Sequence, residues 1–373
     1  MNLITKTQTK RDLLQKQFAK DFIDKGFYGI MYICPRFGKI RTVLNCLNNK
    51  NKVIIAYPEV NIKKSWVDEF KLLKYKNKRI KYSTYKSFIK LKDECDILIL
   101  DEVHLISENQ LKAIKKYITD NNIIKVIALS GTLSERTIQD LNKYLNLKVL
   151  VEYSIEQAIS DKIITDYKID IYYTSLSTKK NMLIKWDKGE FFTSEKASFD
   201  NLSRKIDNCI IINNFTRNKI KSFRLMRMNI IKKSQSKIDL TKQILKKYKG
   251  KRILTFSGLI EVADSLGIKS YHSGSIDDTN KNKFINGEIN ELSIVNKLNT
   301  GITFPKLNLA IINFFDSNGE NMAQKISRVT CMEYNNLEKI AHIIIISTNE
   351  PTETKWLDSA LSFFDKNKIT HYK

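Results

Sequence analysis

The stretch Ile97-Leu98-Ile99-Leu100-Asp101-Glu102-Val103-His104 sets the strongest constraint on what this chain can fold into. A short apolar run rich in branched residues reads as a strand buried on both faces, which is the signature of a parallel sheet. Two carboxylates stand side by side where that strand ends. In open α/β sheets ligands bind at this carboxyl edge. Adjacent acids repel one another unless a cation or a reaction uses them. Nucleotide hydrolysis is such a use, with the first carboxylate on Mg²⁺ and the second orienting or deprotonating water. Acidic strand ends also arise by chance, so this reading requires a phosphate loop upstream and partners downstream.

Other segments repeat the pattern. Tyr28–Cys34, Val53–Pro58 and Ile123–Leu129 read as buried strands, separated by amphipathic helices such as Asp12–Lys25 and the run holding Leu111, Ile114 and Tyr117. Strands alternating with helices predict a doubly wound parallel sheet with its polar residues gathered at one edge.

Between the first strand and its helix lies Pro35-Arg36-Phe37-Gly38-Lys39. A strand, a tight turn ending in Gly-Lys and a helix bind phosphate: backbone N–H groups face the anion and the lysine reaches its outer oxygens. Arg36 replaces the usual glycine and Ile40 the usual Ser or Thr. Isoleucine cannot ligate a metal, so Thr42 or a water fills that place, or Asp101 holds the ion largely alone. Arg41 lies beside these residues. Gln15, on the first helix with Gln17, is a nucleotide-contact candidate set against the plainer reading of a solvated glutamine. Thr84 and Tyr85 end another strand with hydroxyls suited to phosphate oxygens, and Ser130-Gly131-Thr132 follows the strand at 123–129.

The order of these segments resembles the superfamily 2 helicases and translocases, nearest the branch that holds Swi/Snf-type remodellers, restriction-enzyme motors and compact phage helicases. Residues 34–39 stand where that family keeps its phosphate loop, 53–70 with Trp66 at its next segment, and 82–88 at its strand-contacting segment. Asp101 to His104 resembles the Asp-Glu-x-His box, and Ser130 to Thr132 the coupling motif. Farther on, 153–164 is similar to the lobe-connecting segment, and Arg252–Ser257 to the first strand of a second lobe. The segments 271–274, 298–305 with Gly301, and 324–331 with Gln324 and Arg328 follow in the family's order. Where the family carries a second arginine on the γ-phosphate, this chain has Cys331. Arg328 or a nearby basic residue takes that role, or ATP turnover is slow.

The resemblance implies two tandem RecA-like parallel-sheet lobes joined by a basic, mostly helical insert. The expected divisions are 1–150, 151–250 and 251–373. It implies ATP and Mg²⁺ as cofactors, bound in the cleft between lobes. Lys39 would lie on the β- and γ-phosphates, Asp101 and Thr42 on the metal, and Glu102 on water, with Arg328 stabilising transition-state charge. Gln15, Arg36, Gly38, Ile40, Arg41, Thr42, Gly301 and Gln324 would surround the nucleotide. Thr84, Tyr85, Ser130, Thr132, Ser257 and Lys237 would face nucleic acid. The expected activity is a nucleic-acid-stimulated ATP hydrolase of the helicase or translocase type. The alternative is a degenerate clamp with little or no turnover.

Charge agrees with a polyanionic partner. The 373 residues carry a formal net charge of +24, and residues 204–252 hold sixteen Lys and Arg against two acids. By contrast, residues 253–373 hold twelve basic and fourteen acidic residues. Such a belt suits a nucleic-acid backbone, held without reading sequence and weakened by salt. DNA is expected ahead of RNA, with replication or recombination proteins as candidate companions, no membrane, and a monomeric state. Five scattered cysteines and four histidines predict neither a disulfide framework nor a zinc site, and the absence of an apolar leader points to the cytoplasm, including that of a phage-infected bacterium.

Overall fold

The computed structural model describes residues 3–180, 182–186, 189–211, 217–295, 304, 306–331 and 339–372. Two units are distinguished. One is formed chiefly by residues 1–166; the other takes in most of the chain from Tyr167 onward. The described residues of 167–250 fall in the second unit.

The first unit is built on six strands, β1 (Tyr28–Ile33), β2 (Val53–Tyr57), β3 (Ile80–Thr84), β4 (Ile97–Asp101), β5 (Val126–Ser130) and β6 (Val149–Tyr153). They lie in the order β3-β2-β4-β5-β1-β6, every pair parallel. Alternation along each strand divides the core in two. Val53, Ile55, Ile97, Ile99 and Ile127 face one layer with Phe22, Val43 and Trp66, carried on α1 (Leu3–Asp24), α2 (Lys39–Leu44) and α3 (Val60–Leu72). Ile54, Ala56, Leu98, Leu100 and Ala128 face the other, with Leu111 and Ile114 of α4 (Glu108–Asp120) and Leu141 of α5 (Glu135–Leu145). Burial on both faces is why these strands read as continuous apolar runs. A short α6 (Ile155–Ser160) follows, capped by Ser154 with Gln157. The capping box satisfies two N–H groups that the helix start leaves exposed.

The second unit holds a seven-stranded sheet ordered β11-β12-β10-β13-β14-β7-β15. Its strands are β7 (Asp166–Thr174), β10 (Ile253–Phe256), β11 (Ser270–Tyr271), β12 (Glu291–Ile294), β13 (Leu309–Ile312), β14 (Ile340–Thr348) and β15 (Ile369–Tyr372). The β10–β12, β10–β13, β11–β12, β13–β14 and β7–β15 ladders are parallel. Between β7 and β10 come an antiparallel hairpin, β8 (Met182–Trp186) with β9 (Gly189–Thr193), and three helices. These are α7 (Glu195–Ile211), α8 (Arg217–Lys233) and α9 (Gln235–Lys247), so the insert is mainly helical and the hairpin is its one departure among the described residues. The remaining helices are α10 (Ile260–Ser265), α11 (Thr279–Asn286), α12 (Gly319–Ser327) and α13 (Pro351–Ala360). Among the described residues no helix is long and apolar enough to cross a membrane.

Candidate functional site

The carboxyl edge of the first sheet gathers the polar residues. Asp101 closes β4 and is buried. Its carboxylate accepts the indole N–H of Trp66 at 2.8 Å on one oxygen and the Glu102 backbone N–H at 3.0 Å on the other. Its backbone carbonyl accepts the Tyr85 hydroxyl at 2.6 Å. Burial and the adjacent Glu102 charge push the Asp101 carboxyl up to about 6, against the pull of Lys39 and the two donors. A carboxylate this costly to ionise is one that a bound cation would stabilise.

Glu102 leaves the strand in the left-handed conformation, φ 51°. A non-glycine residue held there is strained, and such strain gathers at functional positions. The turn places one Glu102 oxygen 3.0 Å from the Lys39 ammonium and the other 3.5 Å from His104 Nδ1. Burial works to lower the Lys39 pKa, but Glu102 and Asp101 outweigh it, so the ammonium is raised and stays charged.

The His104 side chain is buried, and desolvation takes its pKa down to about 4. The ring is therefore neutral near pH 7. Ser130 Oγ donates to the Thr132 carbonyl at 2.5 Å and so spends its only proton. The 2.9 Å contact between His104 Nδ1 and Ser130 Oγ then requires the imidazole to carry its proton on Nδ1. Ser130 and Thr132 are thus tied to the Asp-Glu-Val-His segment through one histidine. Both are buried.

The phosphate loop is shaped by two left-handed residues, Arg36 at φ 71° and Gly38 at φ 103°. Phe37 anchors it, fully buried, with ring centroids 5.4 Å from Phe18 and 4.9 Å from Tyr153. Gln15 is not a solvated glutamine. It is buried, donates from Nε2 to the Phe37 carbonyl at 3.0 Å, and lies so near Gly38 that a Cβ there would come within 2.6 Å of it. Gln15 therefore positions the loop. From the other side Pro35 approaches Gly131, where an added Cβ would meet Pro35 Cγ at 3.0 Å. The loop is clamped between the first helix and the turn after β5.

Other candidates fall differently. Thr42 cannot reach a metal: it is fully buried, and its hydroxyl donates weakly to the Gly38 carbonyl at 3.4 Å. Ile40 packs on the first core and Arg41 pairs with Glu69. Thr84 stays half-buried beside Ser87, at 2.9 Å between hydroxyls. Tyr85, expected on nucleic acid, is only 1% exposed and serves Asp101 instead. Lys237 is likewise withdrawn from that role: it has no exposed surface, and its ammonium lies 2.7 Å from Glu353, which is equally buried. Ser257 is buried with its Oγ 3.1 Å from Ser293 Oγ. A buried hydroxyl or ammonium already paired inside the fold cannot also hold a backbone phosphate. In the second unit Gln324 and Arg328 lie on or just after α12; Arg328 is 4% exposed. Gly301 lies outside the described residues.

The sequence singles out Trp66 and Tyr85, but not their role in positioning Asp101. A signal existed, since a buried Trp or Tyr places its polar atom on a partner, but the sequence does not say which.

These residues fit a magnesium nucleotide. Asp101 would offer a carboxylate to the metal, and magnesium is commonly held by one or two carboxylates with phosphates and water completing its shell. Among the described residues no group of three or more His, Cys, Asp or Glu could hold a metal by itself.

Comparison with known proteins places the fold. No protein-family model matches the sequence, and no curated protein matches it. Solved structures do. Dbp5 of S. cerevisiae bound to RNA and ADP BeF3 matches with a TM-score of 0.59 and 11% identity, over 92% of this chain and 85% of that one. The Hef helicase domain of Pyrococcus furiosus gives 0.52 and 12%, over 94% and 97%. The DNA-bound type ISP restriction-modification enzyme LlaBIII gives 0.56 and 16%, over 96% of this chain and 30% of its own. The chain shares the fold of these structures, with two α/β units each built on a parallel sheet.

Proposed function

We propose that this chain is an ATP-driven nucleic-acid motor, a helicase or translocase acting on DNA. The observation that carries the reading is the meeting of Lys39, Asp101 and Glu102 at one sheet edge, with Lys39 held charged 3.0 Å from Glu102. Magnesium ATP, when bound, supplies the phosphoanhydride and the charge that activates it. The chain's own residues do the rest. Lys39 exchanges Glu102 for the outer phosphates, and the carboxylate so released is free to orient and deprotonate water. Asp101, aimed by Trp66 and by the Glu102 N–H, is the metal carboxylate. The turn holding Arg36 and Gly38 presents backbone N–H groups, those at the start of α2 having no partner within the helix.

His104 links the Glu102 carboxylate to Ser130, so a change at the catalytic carboxylate reaches the turn after β5 through a neutral, singly protonated ring. Thr84 is the part of the first unit assigned to nucleic acid, and that turn, with Ser130 and Thr132 buried, is assigned to coupling. RNA or DNA bound in the similar structures supports a nucleic-acid track, and the basic stretch 204–252 favours one held by its backbone. DNA is the preferred track.

The apolar side chain at Ile40 and the withdrawal of Thr42 favour a second reading, a clamp that binds nucleic acid without turnover. The deciding experiment is the ATP hydrolysis rate at low salt, alone and with single-stranded DNA, duplex DNA and RNA. Stimulation by one of them is the expected result. Tight, salt-sensitive binding with no hydrolysis on any would replace the motor with the clamp.

A further inference from the structure

At the carboxyl edge of the second sheet two lysines converge on one ring. Lys232, in the last turn of α8, sets its ammonium 4.5 Å from the centroid of Phe314. Lys325 of α12 comes within 5.9 Å of the same centroid and donates to the Phe314 carbonyl at 3.1 Å. Phe314 stands two residues beyond β13, and Gly258 two residues beyond its parallel neighbour β10. An added Cβ on Gly258 would lie 2.7 Å from Phe314 Cγ and 3.0 Å from Lys232 Cγ, so ring and lysine close directly over the strand ends.

Asp316 offsets only part of this charge. Among the described residues neither ammonium has a carboxylate at salt-bridge distance. Asp316 is the acid both feel, and its two oxygens already accept from the Asn318 backbone N–H at 3.0 Å and the Asn321 amide at 3.1 Å. The nearby Lys237 adds repulsion, though Glu353 neutralises it. Burial depresses both lysines, Lys325 down to about 8, and Lys232 and Lys237 push Lys325 further the same way. Like charges left half-desolvated oppose folding unless an anion occupies the site. Two lysines against Asp316 leave one positive charge over, which a single phosphodiester would cancel.

We propose that Lys232 and Lys325, gathered on Phe314 beside Gly258, form a seat for a phosphate group. Compact ammonium charges with several donors suit phosphate oxygens. Lys232 also ends a helix of seven Lys and Arg and no acid, so the seat continues a positive track rather than standing alone. The phosphate comes from a nucleic-acid backbone or from a nucleotide. The seat goes beyond the motor reading and needs no hydrolysis.

The test uses the full chain carrying Lys232→Gln, Lys325→Met or both, with melting temperature checked for each. Anisotropy of a labelled single-stranded oligonucleotide is measured across a salt series without nucleotide, and binding of a fluorescent ATP analogue without nucleic acid. Weakening of oligonucleotide binding by about tenfold per substitution, with the log–log salt slope reduced by about one each, assigns the seat to a backbone phosphate. Equal weakening confined to the ATP analogue assigns it to the nucleotide. Folded variants that bind both probes like the parent overturn the proposal. Lys232, only partly buried, keeps the experiment decisive should Lys325→Met not fold. Since neither assay requires turnover, a chain inactive as an ATPase still answers it.

Discussion

Trp66 donates its indole N–H to the Asp101 carboxylate at 2.8 Å, across 35 residues of sequence. The bond joins the helix after β2 to the strand that carries the acidic pair. It fixes which Asp101 lone pairs remain for a metal. Hydrogen bonds to a charged group contribute about 1.5–3 kcal/mol. Trp66→Phe is therefore expected to lower unfolding stability by roughly that amount, including lost packing, and to raise the magnesium concentration needed for half-maximal hydrolysis. Urea titration and a magnesium titration of turnover check the two parts.

Glu102→Gln keeps the shape of the side chain and removes its charge. Hydrolysis is expected to fall by about 10²- to 10⁴-fold, the range of a lost general base, while ATP binding is retained. Single-turnover kinetics beside equilibrium binding measure both. A variant that turns over like its parent would remove Glu102 from the mechanism.

Gly38→Ala meets two obstacles at once. The residue sits at φ 103°, where an L side chain is strained, and its Cβ would press on Gln15 Nε2 at 2.6 Å. Nucleotide binding is expected to drop at least tenfold. Adding Gln15→Ala should restore only part of it, because the clash is relieved and the backbone strain is not. A double-mutant cycle on ATP-analogue affinity separates these terms.

Acid should test His104. The unfolded imidazole takes up its proton near 6.5 and the folded one only near 4. Between those values the unfolded chain binds more protons, so this residue makes stability rise with pH. The full effect is about 3 kcal/mol at one pKa unit per 1.36 kcal/mol. Asp101, pushed up to about 6, gives an opposite slope over part of the window. Comparing the parent with His104→Asn holds that contribution nearly constant. The difference between their unfolding free energies at pH 4 and 7 is the measurement.

Glu353 lies under the second sheet with Lys237, and its other oxygen accepts from the Thr348 backbone N–H and hydroxyl, each at 2.7 Å. Removing one charge of a buried pair costs about 3–5 kcal/mol, whereas replacing both by apolar groups can be neutral. Glu353→Gln is expected to be strongly destabilising and Lys237→Met with Glu353→Leu far less so. The double variant should bind nucleic acid with an unchanged salt slope, since Lys237 never meets the backbone.

Local pattern determined much of this protein. Unbroken apolar runs such as Ile97–Leu100 specify strands covered on both faces, which only a parallel sheet with helices on each side supplies. Gly38-Lys39 after a strand and Asp101-Glu102 after another bring the lysine and the two carboxylates to one edge, because carboxyl ends of parallel strands share that edge. The tertiary structure alone decided the rest. Gln15 could be solvent-exposed or buried on equal local evidence, and only the packing of α1 against the loop buries it. Thr42 faces inward because α2 turns that side to the core. Lys237 looks like one more residue of a basic belt until Glu353, 116 positions away, meets it inside the fold. Periodicity tells which side chains avoid water. Which partner a polar side chain finds depends on chain-distant neighbours, and a local window does not contain them.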